Sequence, residues 1–204
     1  MKVSILLESK YYKSPEVLNI ELCKYDYGYM YKDKRITNEL IEEDDFKHYT
    51  LLGNDRFEKE KIGTCWDYTL YEAYIFEKQF NYDYKLWYIQ ENRGDNHTWL
   101  SYKNGSIINA FEAAWGNYQG IHKFISEKDM VNNYMKKCIE EWNMEEDTKG
   151  LGKGIFVTTF DIFDPEGMKP EQFMQKTIHG NFYTGSTKIY KNWLNRIDRE
   201  CKGS

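Results

Sequence analysis

The chain has 204 residues, with 33 Asp+Glu against 28 Lys+Arg and a formal net charge of −5. That balance excludes a basic nucleic-acid-binding surface, because neutralising phosphates needs an excess of Lys and Arg. Aromatic residues make up 17% of the chain, too many for a disordered polymer, so a mean hydropathy of −0.80 still allows a buried core.

The first fifty residues are tyrosine-rich. Tyr25, Tyr27, Tyr29 and Tyr31 recur with period two, the spacing of a half-exposed strand, with a peptide- or glycan-binding face as the lesser reading. The acidic run 42–45 reads as a solvated loop or helix end. A helix is predicted over 63–80, with Thr64 as N-cap and Asp67 as its capping-box partner. Trp66, Leu70, Ala73, Tyr74 and Phe80 follow at helical spacing. Residues 82–91 read as a strand, and 97–102 and 107–112 as the two arms of a hairpin around Asn104-Gly105. Ser126 and Asp129 open a second long helix, about 127–146, with Val131, Tyr134, Cys138 and Trp142 along one face. A glycine-rich loop at 149–154 precedes a strand at 155–160. Pro170 opens a short helix, and 188–200 forms the last one. Helices segregated from strands in this order predict an α+β fold in one domain spanning 1–204.

Several chemistries lack their sequence signals. No apolar run is long enough to span a bilayer, and the N-terminal apolar stretch breaks at Glu8, too early for a secretory signal. The four cysteines (Cys23, Cys65, Cys138, Cys201) lie far apart, which suits a reducing, cytoplasmic setting better than a disulfide framework. No CxxC, HxxxH or HExxH spacing occurs, so neither a metal nor another cofactor is expected. Gly150 to Gly154 match no phosphate-binding pattern.

One cysteine stands apart from the others. Cys65 falls at the first helical position, where free backbone N–H groups and the positive end of the helix dipole favour a thiolate. A cysteine nucleophile needs a base, and the base needs an orienting group. With Asn104-Gly105 as a two-residue loop, paired positions sum to 209, and His97 stands opposite Glu112. Asn109 is a rival third member, because Cys-His-Asn triads exist, but alternation puts it on the opposite face from His97. Trp66 and Trp99 read as core or cleft-wall residues, and His48, His122 and His179 as structural or surface histidines.

These residues carry a resemblance. Gly63-Thr-Cys65-Trp-Asp67 resembles the Gly-x-Cys-x-Asp signature of the transglutaminase-like superfamily, a circularly permuted relative of papain-like cysteine proteases. His97-Thr-Trp99 resembles its His-x-Trp motif, and Glu112 stands where that family usually has Asp. The stretch from Phe111 to Trp115, with Gly120, Ile121 and His122, is similar to a bacterial subfamily whose members are uncharacterised. The likeness covers about 57–125, leaving 1–56 and 126–204 as flanking elements. It implies a nucleophile helix packed on an antiparallel sheet, with extra C-terminal helices. It also implies a Cys65-His97-Glu112 triad acting on a protein or peptide amide through a thioester. Members of that superfamily include proteases, amidases, deamidases and cross-linkers, and some are inactive interaction domains.

Overall fold

A computed structural model describes residues 10–37, 48–144 and 153–202. Within them the chain is mixed α+β, with one three-stranded and one six-stranded sheet. The acidic run 42–45, most of the glycine-rich loop and the expected end of the second long helix lie outside the described residues.

α1 (Pro15–Leu22) starts at Ser14, whose hydroxyl accepts the Val17 N–H. β1 (Asp26–Tyr31) and β2 (Lys34–Thr37) form a hairpin in which Lys32 and Asp33 both take positive φ. The tyrosine alternation is thus a strand. α2 (Asn54–Glu60) leads into β3 (Ile62–Gly63), which pairs parallel with β1 through Asp26↔Ile62 and Tyr27↔Gly63. That pairing brings Tyr27 beside the start of α3 (Cys65–Gln79). Eleven of the α3 residues are buried, so this helix is enclosed on nearly every side.

The large sheet runs β7-β6-β5-β4-β8-β9. Its strands are β4 (Tyr84–Glu91), β5 (Asn96–Asn104), β6 (Ile107–Glu112), β7 (Gly120–Phe124), β8 (Ile155–Phe160) and β9 (Asn181–Gly185), each antiparallel to its neighbour. Alternation divides the core in two. Leu86, Tyr88, Leu100, Tyr102, Phe111 and Phe156 meet α3 and the terminal helices α5 (Pro170–Ile178) and α6 (Thr187–Lys202). Trp87, Ile89, Trp99, Ala110 and Val157 meet α4 (Glu127–Glu141) on the other face. α4 stops at Glu141, short of the expected 146. Asn143 takes φ 44°, and the Met144 N–H reaches back to the Ile139 carbonyl, the left-handed Asn stop of a Schellman ending.

The β5–β6 register differs from expectation. Asn104 pairs with Ile107, so the two-residue loop is Gly105-Ser106 and paired positions sum to 211. Only Gly105 takes positive φ, at 63°. A loop with glycine first needs one left-handed residue, whereas the Asn-Gly loop would need two. The slip is two residues, so every side chain keeps its face. His97 therefore lies diagonal to Glu112 instead of directly across from it.

Candidate active site

α3 is fixed at its first turn. Thr64 is the N-cap, with φ −87° and ψ 174°, and places Cys65 at the first helical position. Asp67 Oδ2 accepts the Thr64 N–H at 2.9 Å and the Tyr49 hydroxyl at 2.6 Å, while Oδ1 accepts the Leu52 N–H at 2.8 Å. One buried carboxyl thus ties the 49–52 segment to the helix start. Burial pushes that carboxyl up to about 6 despite its donors. A Cβ on Gly63 would stand 2.5 Å from Phe57 Cε2 and 2.7 Å from Asp67 Cβ. Gly63→Ala is therefore expected to cost about 1–3 kcal/mol through overpacking, read as a lower denaturant midpoint.

β5 carries His97, and Thr98 locks the position of the strand relative to the helix. The Thr98 hydroxyl donates to the Cys65 carbonyl at 2.8 Å and meets the Thr69 hydroxyl at 3.1 Å. His97, one residue earlier, points to the opposite side of the strand. Its Nε2 lies 2.8 Å from Glu112 Oε2. Nε2 being taken by Glu112, Nδ1 is the ring nitrogen left open to the Cys65 side, and the Cys65 side chain also raises the imidazole's pKa. Burial opposes charging of the ring, but the Glu112 carboxylate, its hydrogen bond and the neighbouring Cys65 win, and the pKa is pushed up to about 10.

Glu112 is itself held by several donors. Oε2 also accepts the Tyr134 hydroxyl at 3.3 Å, and Oε1 accepts the N–H groups of Ala114 and Trp115 at 3.1 and 2.9 Å. Its backbone carbonyl accepts Asn19 Nδ2 at 2.9 Å, which reaches across from α1. The longer Glu side chain therefore bridges the diagonal created by the two-residue slip.

Cys65 is 3% exposed, and it borders a hollow of about 420 Å³ that also touches Trp66, Arg93, Trp193 and Arg196. His97 borders a second hollow of about 430 Å³ with Trp115, Glu141 and Trp142. Tyr27 and Asn96 line both and form the partition between them. The Tyr27 phenol is raised well above its usual range, first by burial and then by the neighbouring Cys65. Asn96 is held by the Trp66 indole, whose Nε1 donates to Asn96 Oδ1 at 2.8 Å.

The remaining candidates take other places. Trp66 lines the cleft and stacks on Phe173 at 4.5 Å. Trp99 is 1% exposed and lies in the core between the sheet and α4. Asn109 pairs with Tyr102 on the face of β6 away from His97. His48 stacks on Tyr31, His122 donates to the Tyr118 carbonyl, and His179 pairs with Asp198 at the surface. Cys23, Cys65 and Cys138 form no disulfide, and the Cys201 thiol donates to the Glu171 carbonyl at 3.7 Å. Among the described residues no group of three His, Cys, Asp or Glu could hold a metal ion, and no helix is long and apolar enough to cross a membrane.

Tyr27, Asn96, Thr98 and Asn19 were not selected from sequence. The period-two tyrosines signalled a strand, but nothing local marked which tyrosine would meet Cys65; the parallel β1–β3 pairing does that. Glu72 was also passed over. It is 2% exposed on α3, seven residues beyond Cys65, and its Oε2 has no hydrogen-bond partner. Burial, then Glu112, hold its carboxyl well above the usual 4.5. A folded value above the unfolded one gives stability that is complete below about pH 4.5 and lost as pH rises through the folded value. Glu72→Gln should flatten that decline in a series of melting temperatures against pH.

No family model matches the sequence, and no curated protein matches it.

Proposed function

We propose that the chain is a cysteine-dependent hydrolase or acyltransferase of transglutaminase-like fold, acting on an amide through a thioester. The observation that carries this reading is the His97 imidazole held 2.8 Å from the buried Glu112 carboxylate, with Cys65 at the first position of α3 near enough to raise that imidazole's pKa. The thiolate sulfur attacks the amide carbonyl carbon, and the C–O π electrons move to oxygen. The Cys65 N–H, at the first helical position, and the Tyr27 hydroxyl, in the same hollow, are the proposed donors to that oxyanion. The C–N bond then breaks, and His97 gives its proton to the leaving amine. Water or an acceptor amine next loses a proton to His97 and attacks the thioester, and the C–S bond breaks to restore the thiolate. Glu112 holds the imidazole tautomer and stabilises its cation throughout.

Burial of Cys65 favours a second reading, a non-catalytic interaction domain built on the same core. Intact-mass analysis after exposure to a peptide thioester donor separates the two. The enzyme reading expects one added acyl group, mapped to Cys65, absent from Cys65→Ala and slow to leave His97→Ala. Acylation spread evenly over the four cysteines would rule the enzyme reading out.

A further inference from the structure

The cleft around Cys65 and His97 is charged asymmetrically. The hollow beside Cys65 carries Arg93 and Arg196 against Asp95. The hollow beside His97 carries Glu141 and runs on, through Trp115, Asn117 and Glu141, into a third of about 270 Å³ that adds Glu140 and Lys137. Among the lining side chains, one end thus presents two guanidiniums and one carboxylate, with Glu91 and Glu200 paired to the guanidiniums from outside the hollow, and the other end presents two carboxylates and one ammonium, with His97 balanced by Glu112. Neither arginine is consumed by its own contacts. Arg93 donates to the Trp142 carbonyl at 2.8 Å and more distantly to Glu91. Arg196 donates Nε to Glu200 at 2.8 Å and lies over the Trp193 ring at 4.6 Å. A guanidinium offers five N–H donors, so each retains donors for a carboxylate. At the other end Glu141 accepts the Trp115 indole N–H at 2.7 Å, which sets a carboxylate against an aromatic ring, a pairing suited to a Lys or Arg side chain.

The chemistry orients a substrate in this groove. The acyl part becomes bonded to Cys65 and belongs to the Cys65 side; the leaving amine takes its proton from His97 and belongs to the His97 side. In a peptide the acyl part is the N-terminal half.

We infer that the substrate is an extended peptide with an acidic residue N-terminal to the reacting amide and a basic residue C-terminal to it. This rests on the thioester reading for its direction. Hollows on both sides of the Tyr27–Asn96 partition suit a chain passing over it, at about 3.3 Å per residue, better than a small free amide.

Panning a degenerate octapeptide library over the immobilised full chain carrying Cys65→Ala tests this without turnover. The expected enrichment is Asp or Glu preceding Lys or Arg in the peptide. Arg196→Glu should weaken the acidic preference, and Glu141→Lys the basic one, each by about two- to fivefold at low salt, since both charges are solvent-facing and screened. No enrichment, or the opposite order, overturns the inference. The thioester reading fails separately, if Cys65 in the unmodified chain proves unreactive while the Cys65→Ala chain still selects this charge order.

Discussion

Glu112→Gln is expected to lower amide turnover by about 10³- to 10⁴-fold while leaving the chain folded, as loss of an orienting carboxylate does in triad enzymes. The reason lies in the four donors that converge on the carboxylate. A glutamine oxygen can replace only one of the two acceptors. If it faces Ala114 and Trp115, its amide N–H₂ meets His97 Nε2 and forces the other tautomer, with the proton on Nδ1 towards sulfur. The imidazolium then loses its counter-charge in a buried site. In the unmodified chain His97 sits at about 10 against 6.5 unfolded, so its pairing stabilises fully below pH 6.5 and fades as pH approaches 10. Glu112→Gln should remove that slope from a stability–pH curve. Glu112→Ala orphans all four donors and should cost about 3–5 kcal/mol in addition.

Trp99→Ala is expected to cost about 3–5 kcal/mol of stability through the core it empties. Trp99 stacks at 5.9 Å on Trp87 and at 4.1 Å on Tyr134, so its ring is a central contact between α4 and the sheet. A loss of that size is a large share of the roughly 5–15 kcal/mol that holds a domain together. It also frees Tyr134, whose hydroxyl reaches Glu112. The denaturant midpoint should fall sharply, and whatever activity remains should fall with it. Trp99→Phe should cost far less, because it keeps a stacked ring and removes an indole N–H that has no partner.

The elements with strong local signals were legible before the structure. Ser126, Pro170 and Thr64 each mark a helix start in the place expected. Parity along β5 and β6 was enough to put His97 and Glu112 on one face and Asn109 on the other, even though the turn was misassigned by one residue. A two-residue slip is invisible to alternation, and a loop with Gly105 first needs one left-handed residue where the Asn-Gly loop would need two. Long-range pairings left no local trace. β3 is two residues long and is defined only by its partner β1, so the placement of Tyr27 on Cys65 could not be read in advance. β7 and β9 are short strands at the two edges of the sheet, and neither shows a sustained apolar alternation. Glu72 escaped notice because a glutamate in a helix ordinarily faces water; only the enclosure of α3 makes it a buried acid.

The most direct test of an activated Cys65 is its alkylation rate. Iodoacetamide at neutral pH, followed by peptide mass mapping, should label Cys65 fastest of the four cysteines and faster than a free thiol, and His97→Ala should slow it markedly. A Cys65 that reacts no faster than a free thiol, or that ignores the loss of His97, would contradict the account.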